Sequence, residues 1–162
     1  MNTLQMIWSA LTVPNEPLIN VLLIPLGYLD AYVGMLYFSS ILNIDCSKKR
    51  KILYILIYGT IGNLISSLAS RSPAVYINLF IWPLLIFFIL KASMLKSILA
   101  EIITMVTTST LDFILVQITQ SVFHITFDTF TTIPIYRITL ALCIYLIIFM
   151  LSKAINYFKV NI

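Results

Sequence analysis

Charge is scarce in this sequence. Asp, Glu, Lys and Arg fill only 10% of its 162 positions while hydrophobic residues fill 60%, against roughly 45–50% apolar in an ordinary soluble domain. That balance excludes a water-soluble domain of this size, which has no means of hiding so much apolar surface. Histidine is nearly absent: His124 stands alone, with no cysteine or paired acid at metal-ligand spacing, which excludes a zinc site. The two cysteines, Cys46 beside a lysine-rich loop and Cys143 inside an apolar run, share no loop to close, so neither a structural disulfide nor a metal pair is expected. Only four glycines occur and none builds a phosphate-cradling loop. No cofactor, metal or catalytic residue is therefore expected. The net charge of +4 comes from basic residues at the ends of apolar runs, the place of orientation signals, and does not describe a nucleic-acid face. The first sixteen residues lack Lys and Arg, and Pro14 and then Pro17 interrupt the start of the chain, so a cleaved secretory signal is not expected. Residues 4–13 instead read as a short interfacial helix anchored by Trp8.

Long apolar runs dominate the rest of the chain. Five segments, approximately 18–43, 52–69, 74–91, 94–118 and 134–157, meet the length of about 17–25 mainly apolar residues needed to cross a bilayer. The expected fold is all-α: one polytopic integral membrane helix bundle of about five transmembrane helices over residues 1–162, with 1–16 as an interfacial segment. Pro25 in the first segment and Pro83 in the third predict kinks. Lys48, Lys49, Arg50 and Lys51 form the tightest basic cluster, which predicts a cytoplasmic loop. Alternating spans then put Lys91, Lys96, Lys153 and Lys159 on the same side and only Arg71 and Arg137 on the other. This split of eight against two predicts an outside N-terminus and a cytoplasmic C-terminus.

Ionisable residues within the spans are the candidate functional groups, because charge in hydrocarbon costs several kcal/mol unless it faces protein or water. Asp30, Glu101 and Asp112 qualify. On the fourth segment Ser97, Glu101, Thr104, Thr108 and Asp112 fall within about 80° of one another, and Thr119 continues the line. The stripe reads either as a polar track that senses or conducts something or as a hydrogen-bonded seam between helices. On the first segment Gly27, Asp30 and Gly34 share a face suited to close helix approach, and Asp30 has Asn63, Asn78, a tyrosine or Arg137 as candidate partners. In the loop 121–133, Phe123, Ile125 and Phe127 alternate with His124, Thr126 and Asp128. That alternation suggests a short strand or an interfacial segment, where the aromatics either sit at the membrane surface or touch an apolar ligand.

The opening LQMIWSALTVPNEPL, the segment IPLGYLDAYVGMLYFSSILNI followed by SKKRK, then LKASMLKSILAEI, and TIPIYRI before NYFKVNI, resemble the N-terminal membrane portion of GHKL-type sensor histidine kinases of Gram-positive bacteria. That group includes peptide-pheromone receptors. The polar landmarks of the resemblance are Asp30, the SKKRK loop, Glu101 and Arg137. The resemblance implies a membrane-embedded input module of a two-component signalling system. Its expected partners are the lipid bilayer, an extracellular peptide or small apolar ligand, and a second copy of itself or a separate kinase. The family's phosphoacceptor histidine and ATP-binding boxes have no counterpart here, so the chain is expected not to be an enzyme, whether it is a truncated receptor or a free-standing relative. The competing expectations are a small transporter, or the substrate-binding subunit of one, with Glu101 and Asp112 as its proton or substrate site, and a scaffold that only holds partners.

Overall fold

The computed structural model describes residues 3–68 and 79–160. These form α1 (Thr3–Thr12), α2 (Glu16–Leu42), α3 (Lys48–Leu68), α4 (Leu79–Leu90), α5 (Met94–Phe123), α6 (Phe127–Thr132) and α7 (Pro134–Val160). Local signals set the ends. Asn15 accepts a bond from the Leu18 backbone N–H at 3.1 Å and proline occupies the first turn, a pairing that starts α2. Asn43, in the left-handed region at φ 50°, ends it and returns its N–H to the Ser39 carbonyl. Ser93 caps α5, and His124, also left-handed, terminates it.

Among the described residues, three helices are long and apolar enough to cross a membrane: Pro17–Leu42, Met94–Phe123 and Pro134–Lys159. This corrects the expectation of five spans. The expected span 52–69 falls on α3, which opens on Lys48, Lys49, Arg50 and Lys51 and is not one of the three; residue 69 lies outside the described residues. Of the expected span 74–91, residues 74–78 lie outside the described residues. What is described, Leu79–Leu90, is short: about 18 Å at 1.5 Å per residue, against a hydrocarbon core of about 30 Å.

Helix α2 continues through Pro25. Helix α4 widens into a π-turn over Ile86–Leu90, downstream of Pro83, and stops at Lys91 with φ 56°. The loop 121–133 contains no strand. Helix α5 runs on to Phe123, and after three residues α6 begins, burying Phe130 while Phe123 and Phe127 stay exposed. The helix expected at residues 4–13 forms as α1, which buries no residue and exposes Trp8.

Helix α2 is the axis of the bundle, packed along α7 on one side and α3 on the other, with α5 across a third face. Its two flanks carry separate cores. Val33 and Tyr37 meet Val116, Phe130, Leu140, Ile144 and Ile148. Met35, Phe38 and Ile44 meet Tyr54, Ile86, Leu90 and Ala100. Outward surfaces are apolar as well: Phe80, Phe88, Leu95 and Phe113 are each more than 65% exposed. In α5 only 6% of the most apolar window is buried. Water penalises such a surface, whereas lipid does not, so a bilayer is the solvent that this bundle requires.

Candidate functional site

The basic residues gather at one end. The Lys96 ammonium donates to the Leu42 carbonyl at 2.8 Å. That of Lys159 donates to the carbonyls of Ser40 and Ile41 and to Asn43 Oδ1. The end of α2, the start of α5 and the end of α7 therefore meet there, with the start of α3 four residues beyond Asn43 and the end of α4 just before Met94. The eight basic residues assigned to one side in the sequence share this end of the bundle, and Arg137 sits in the first turn of α7 at the other. Arg71 and Asn78 lie outside the described residues. Two lysines bonded to the terminal carbonyls of α2 satisfy acceptors that the helix itself leaves open, and place positive charge at the negative end of its dipole.

Between the lysine end and Arg137 lies a cavity of about 590 Å³ bounded by α2, α3, α4, α5 and α7. One wall is polar: Asp30 from α2 and Glu101, Thr104, Thr108, Ser109 and Asp112 from α5, with Arg137 from α7. The other is apolar and aromatic, including Tyr58, Leu79, Trp82, Leu140, Ile144 and Tyr145. At 1.5 Å per residue, Glu101 stands about 10 Å above the lysine end of its helix, Asp112 about 27 Å, and Arg137 about 34 Å along α7. The cavity is thus elongated along the bundle.

The predicted residues are brought together here, in a manner different from a hydrogen-bonded seam. Glu101, Thr104, Thr108 and Asp112 of the stripe face the cavity and Ser97 is buried outside it, while Ile102 and Val106 on the opposite side of α5 are 44% and 55% exposed. Its hydroxyls bond back to their own helix: Ser97 to the Ser93 carbonyl, Thr104 to Ala100, Thr108 to Thr104 and Thr119 to Leu115. The interhelical hydroxyl bonds come from residues outside the stripe. Tyr37 meets Thr107 at 3.1 Å, Ser40 meets Ser152 at 2.9 Å, and Tyr28 meets Thr60 at 3.1 Å.

Asp30 takes a tyrosine from among its candidate partners, accepting from the Tyr58 hydroxyl at 3.2 Å. Asn63 turns instead to the Ile24 carbonyl at 3.2 Å. Tyr58 stacks on Trp82 with ring centroids 4.0 Å apart, and Tyr54 continues the aromatic row to Phe38. Glu101, Asp112 and Arg137 form no hydrogen bond or ion pair among the described residues, although all three line the cavity. Neither Tyr58 nor Trp82 was singled out in the sequence, and the i, i+4 spacing of Tyr54 and Tyr58 facing an acid was the available signal.

The glycines sort differently from the expected groove. A Cβ on Gly34 would meet Thr104 Cγ2 at an ordinary 3.5 Å, and one on Gly27 would reach Asn63 Oδ1 at 3.0 Å. The tight position is Gly59 on α3, where a Cβ would fall 2.3 Å from Tyr28 Cδ1. Gly59 thus permits the close approach of α3 to α2 that brings Tyr58 to Asp30. No group of metal-ligating residues occurs among the described residues. No family model, curated protein or solved structure matches this chain.

Proposed function

We propose that this chain is a membrane-embedded sensing module, in which occupation of the cavity from the Arg137 end alters helix packing at the lysine end. The observation that carries the reading is the cavity itself: five helices contribute to its walls, and each of them starts or ends at the lysine end. A ligand touching those walls would favour whichever packing of α5 against α2 and α7 gives it the better contacts, and that differential contact energy is the only source of a conformational shift. The response would be read where Lys96 and Lys159 hold the last carbonyls of α2. By the abundance of lysine, that end is assigned to the cytoplasm, with the N-terminus outside. The resemblance to the input portion of GHKL-type sensor kinases agrees with this reading, and a kinase on a separate chain or a second copy of this one is the expected recipient of the signal.

Filling the cavity without a ligand tests the coupling. Cys46 lies in the loop at the lysine end. Its partial burial holds the thiol above its usual range, against the pull of Lys51 and Arg50, so alkylation is followed at mildly alkaline pH in a Cys143→Ser background. Thr108→Trp places bulk in the cavity and is expected to change the alkylation rate several-fold, whereas Val106→Trp on the exposed side of the same helix leaves it unchanged. Equal rates in the two folded variants would refute a sensing role for the cavity.

A further inference from the structure

The chemistry of the cavity walls specifies the kind of molecule that fits, and this deepens the sensing assignment on which it rests. Three carboxylates from two helices line it against a single guanidinium. Glu101 and Asp112 have no protein donor or cation in direct contact among the described residues, and Asp30 has only the neutral Tyr58 hydroxyl. Carboxylates in a low-dielectric interior are strongly favoured by a cation that comes to them, since attraction grows as water is excluded. Beside Asp30 the lining is aromatic, with Tyr58 and Trp82 stacked on each other and Tyr145 contributed by α7. Aromatic rings and carboxylates together are the surroundings that bind organic ammonium groups. The remaining wall, Leu79, Leu140, Ala141 and Ile144, offers nothing polar. A volume of about 590 Å³ is within the usual range of roughly 300–1,000 Å³ for small-molecule sites. It far exceeds what a bare metal ion needs.

We infer that the cavity binds a small amphipathic organic cation, an alkyl- or arylammonium. Its charged head lies between Asp30 and Glu101 near Trp82, and its apolar body lies along the α4 and α7 wall. A bare inorganic cation leaves the apolar wall unused, and an apolar molecule leaves the carboxylates without a counter-charge.

The probe is benzyltrimethylammonium, added to the full chain in lipid nanodiscs. Trp8→Phe leaves Trp82 as the one tryptophan, so its fluorescence reports the cavity. A saturable change is expected, weakened about tenfold or more by Glu101→Gln or Asp30→Asn and unaffected by Asp128→Asn, an acid on α6 outside the cavity. The neutral isostere, 2,2-dimethylpropylbenzene, is the control for apolar filling. If it binds as tightly as the cation, or if the cation's signal is unsaturable or equal in all variants, the inference is overturned. Glu101→Gln lies on a cavity wall, so its folding is checked by thermal melting, and Glu101→Asp, which keeps the charge, is expected to restore most of the binding. The sensing assignment has its own readout in Cys46 alkylation. Saturable binding that leaves the Cys46 rate unchanged would retain the cation site and remove the sensor, whereas a Thr108→Trp effect on Cys46 without cation binding would do the reverse.

Discussion

Gly59 is the position where one methyl group decides the packing of two helices. Replacing it with alanine puts a Cβ at 2.3 Å from Cδ1, 2.6 Å from Cε1 and 2.8 Å from Cγ of Tyr28, where real contacts lie beyond about 3.4 Å. The Tyr28 ring cannot simply rotate about its own axis, because Cγ is among the atoms struck and moves only with χ1 or the backbone. Relief therefore displaces the ring or separates α3 from α2, at about 1–3 kcal/mol for overpacking of this kind. Displacing the ring also breaks the bond between the Tyr28 hydroxyl and Thr60 at 3.1 Å, worth about 0.5–1.5 kcal/mol. Against this, alanine gains up to about 1 kcal/mol over glycine in helix propensity. The net expectation for Gly59→Ala is a loss of about 1–3 kcal/mol, read as a lowered midpoint of unfolding in mixed detergent micelles. Gly34→Ala, with its Cβ at an ordinary distance from Thr104, keeps or slightly raises the midpoint. The decisive comparison is the double variant: in a Tyr28→Ala background the clash is gone, so Gly59→Ala should cost nothing further. If the Gly59→Ala loss persists undiminished without the Tyr28 ring, the close approach at this point is not what glycine is needed for.

Lys159→Ala removes three acceptor contacts at the end of α2 and is expected to lower stability by about 1–2 kcal/mol in thermal melts. Lys153→Ala loses only a cation–π contact at 5.3 Å to Phe149 and should stay within about 0.5 kcal/mol. Thr104→Leu overpacks the α2–α5 contact at Gly34 and is expected to cost about 1–2 kcal/mol, while Val106→Leu on the exposed side of α5 stays within about 0.5 kcal/mol; equal effects would show that the stripe is not the inward face. In intact cells expressing the Cys143→Ser protein, an impermeant maleimide should label Thr126→Cys and leave Cys46 untouched, and the opposite pattern would invert the assigned orientation.

Membrane character was legible because it is written in composition, and composition does not depend on how helices pack. The three long apolar helices, the first-turn basic cluster of α3 and the inward stripe of α5 all follow from runs and periods in the sequence. The five-span reading differs from the structure at the two middle segments, α3 and α4. As described, α4 is too short to cross a bilayer, and α3 opens on four basic residues that leave its apolar stretch at the lower limit of length. Whether such a helix meets lipid along its whole length depends on its neighbours, and α3 has α2 along one side and α4 along another.

The site was legible only by half, and the missing half explains its chemistry. Asp30, Glu101, Asp112 and Arg137 stand out in the sequence because ionisable groups are rare in apolar runs, and rarity needs no structure to be seen. Tyr58 and Trp82 do not stand out, because aromatics are common in membrane segments and most of them face lipid or a packed core. Their role depends on Gly59, one residue from Tyr58, which lets α3 lie against α2 closely enough for the Tyr58 hydroxyl to reach Asp30 at 3.2 Å and for its ring to stack on Trp82. Charge rarity therefore locates the acids along each helix, while small-residue contacts determine which aromatics accompany them. The two halves meet in the cavity, where Asp30 carries its single protein hydrogen bond from an aromatic hydroxyl and Glu101 carries none among the described residues. A purely structural polar core would be expected to close such acids against donors from neighbouring helices. Here the hydroxyls best placed to do so, Thr104 and Thr108, are turned back onto α5, and the carboxylates are left facing space large enough for a ligand.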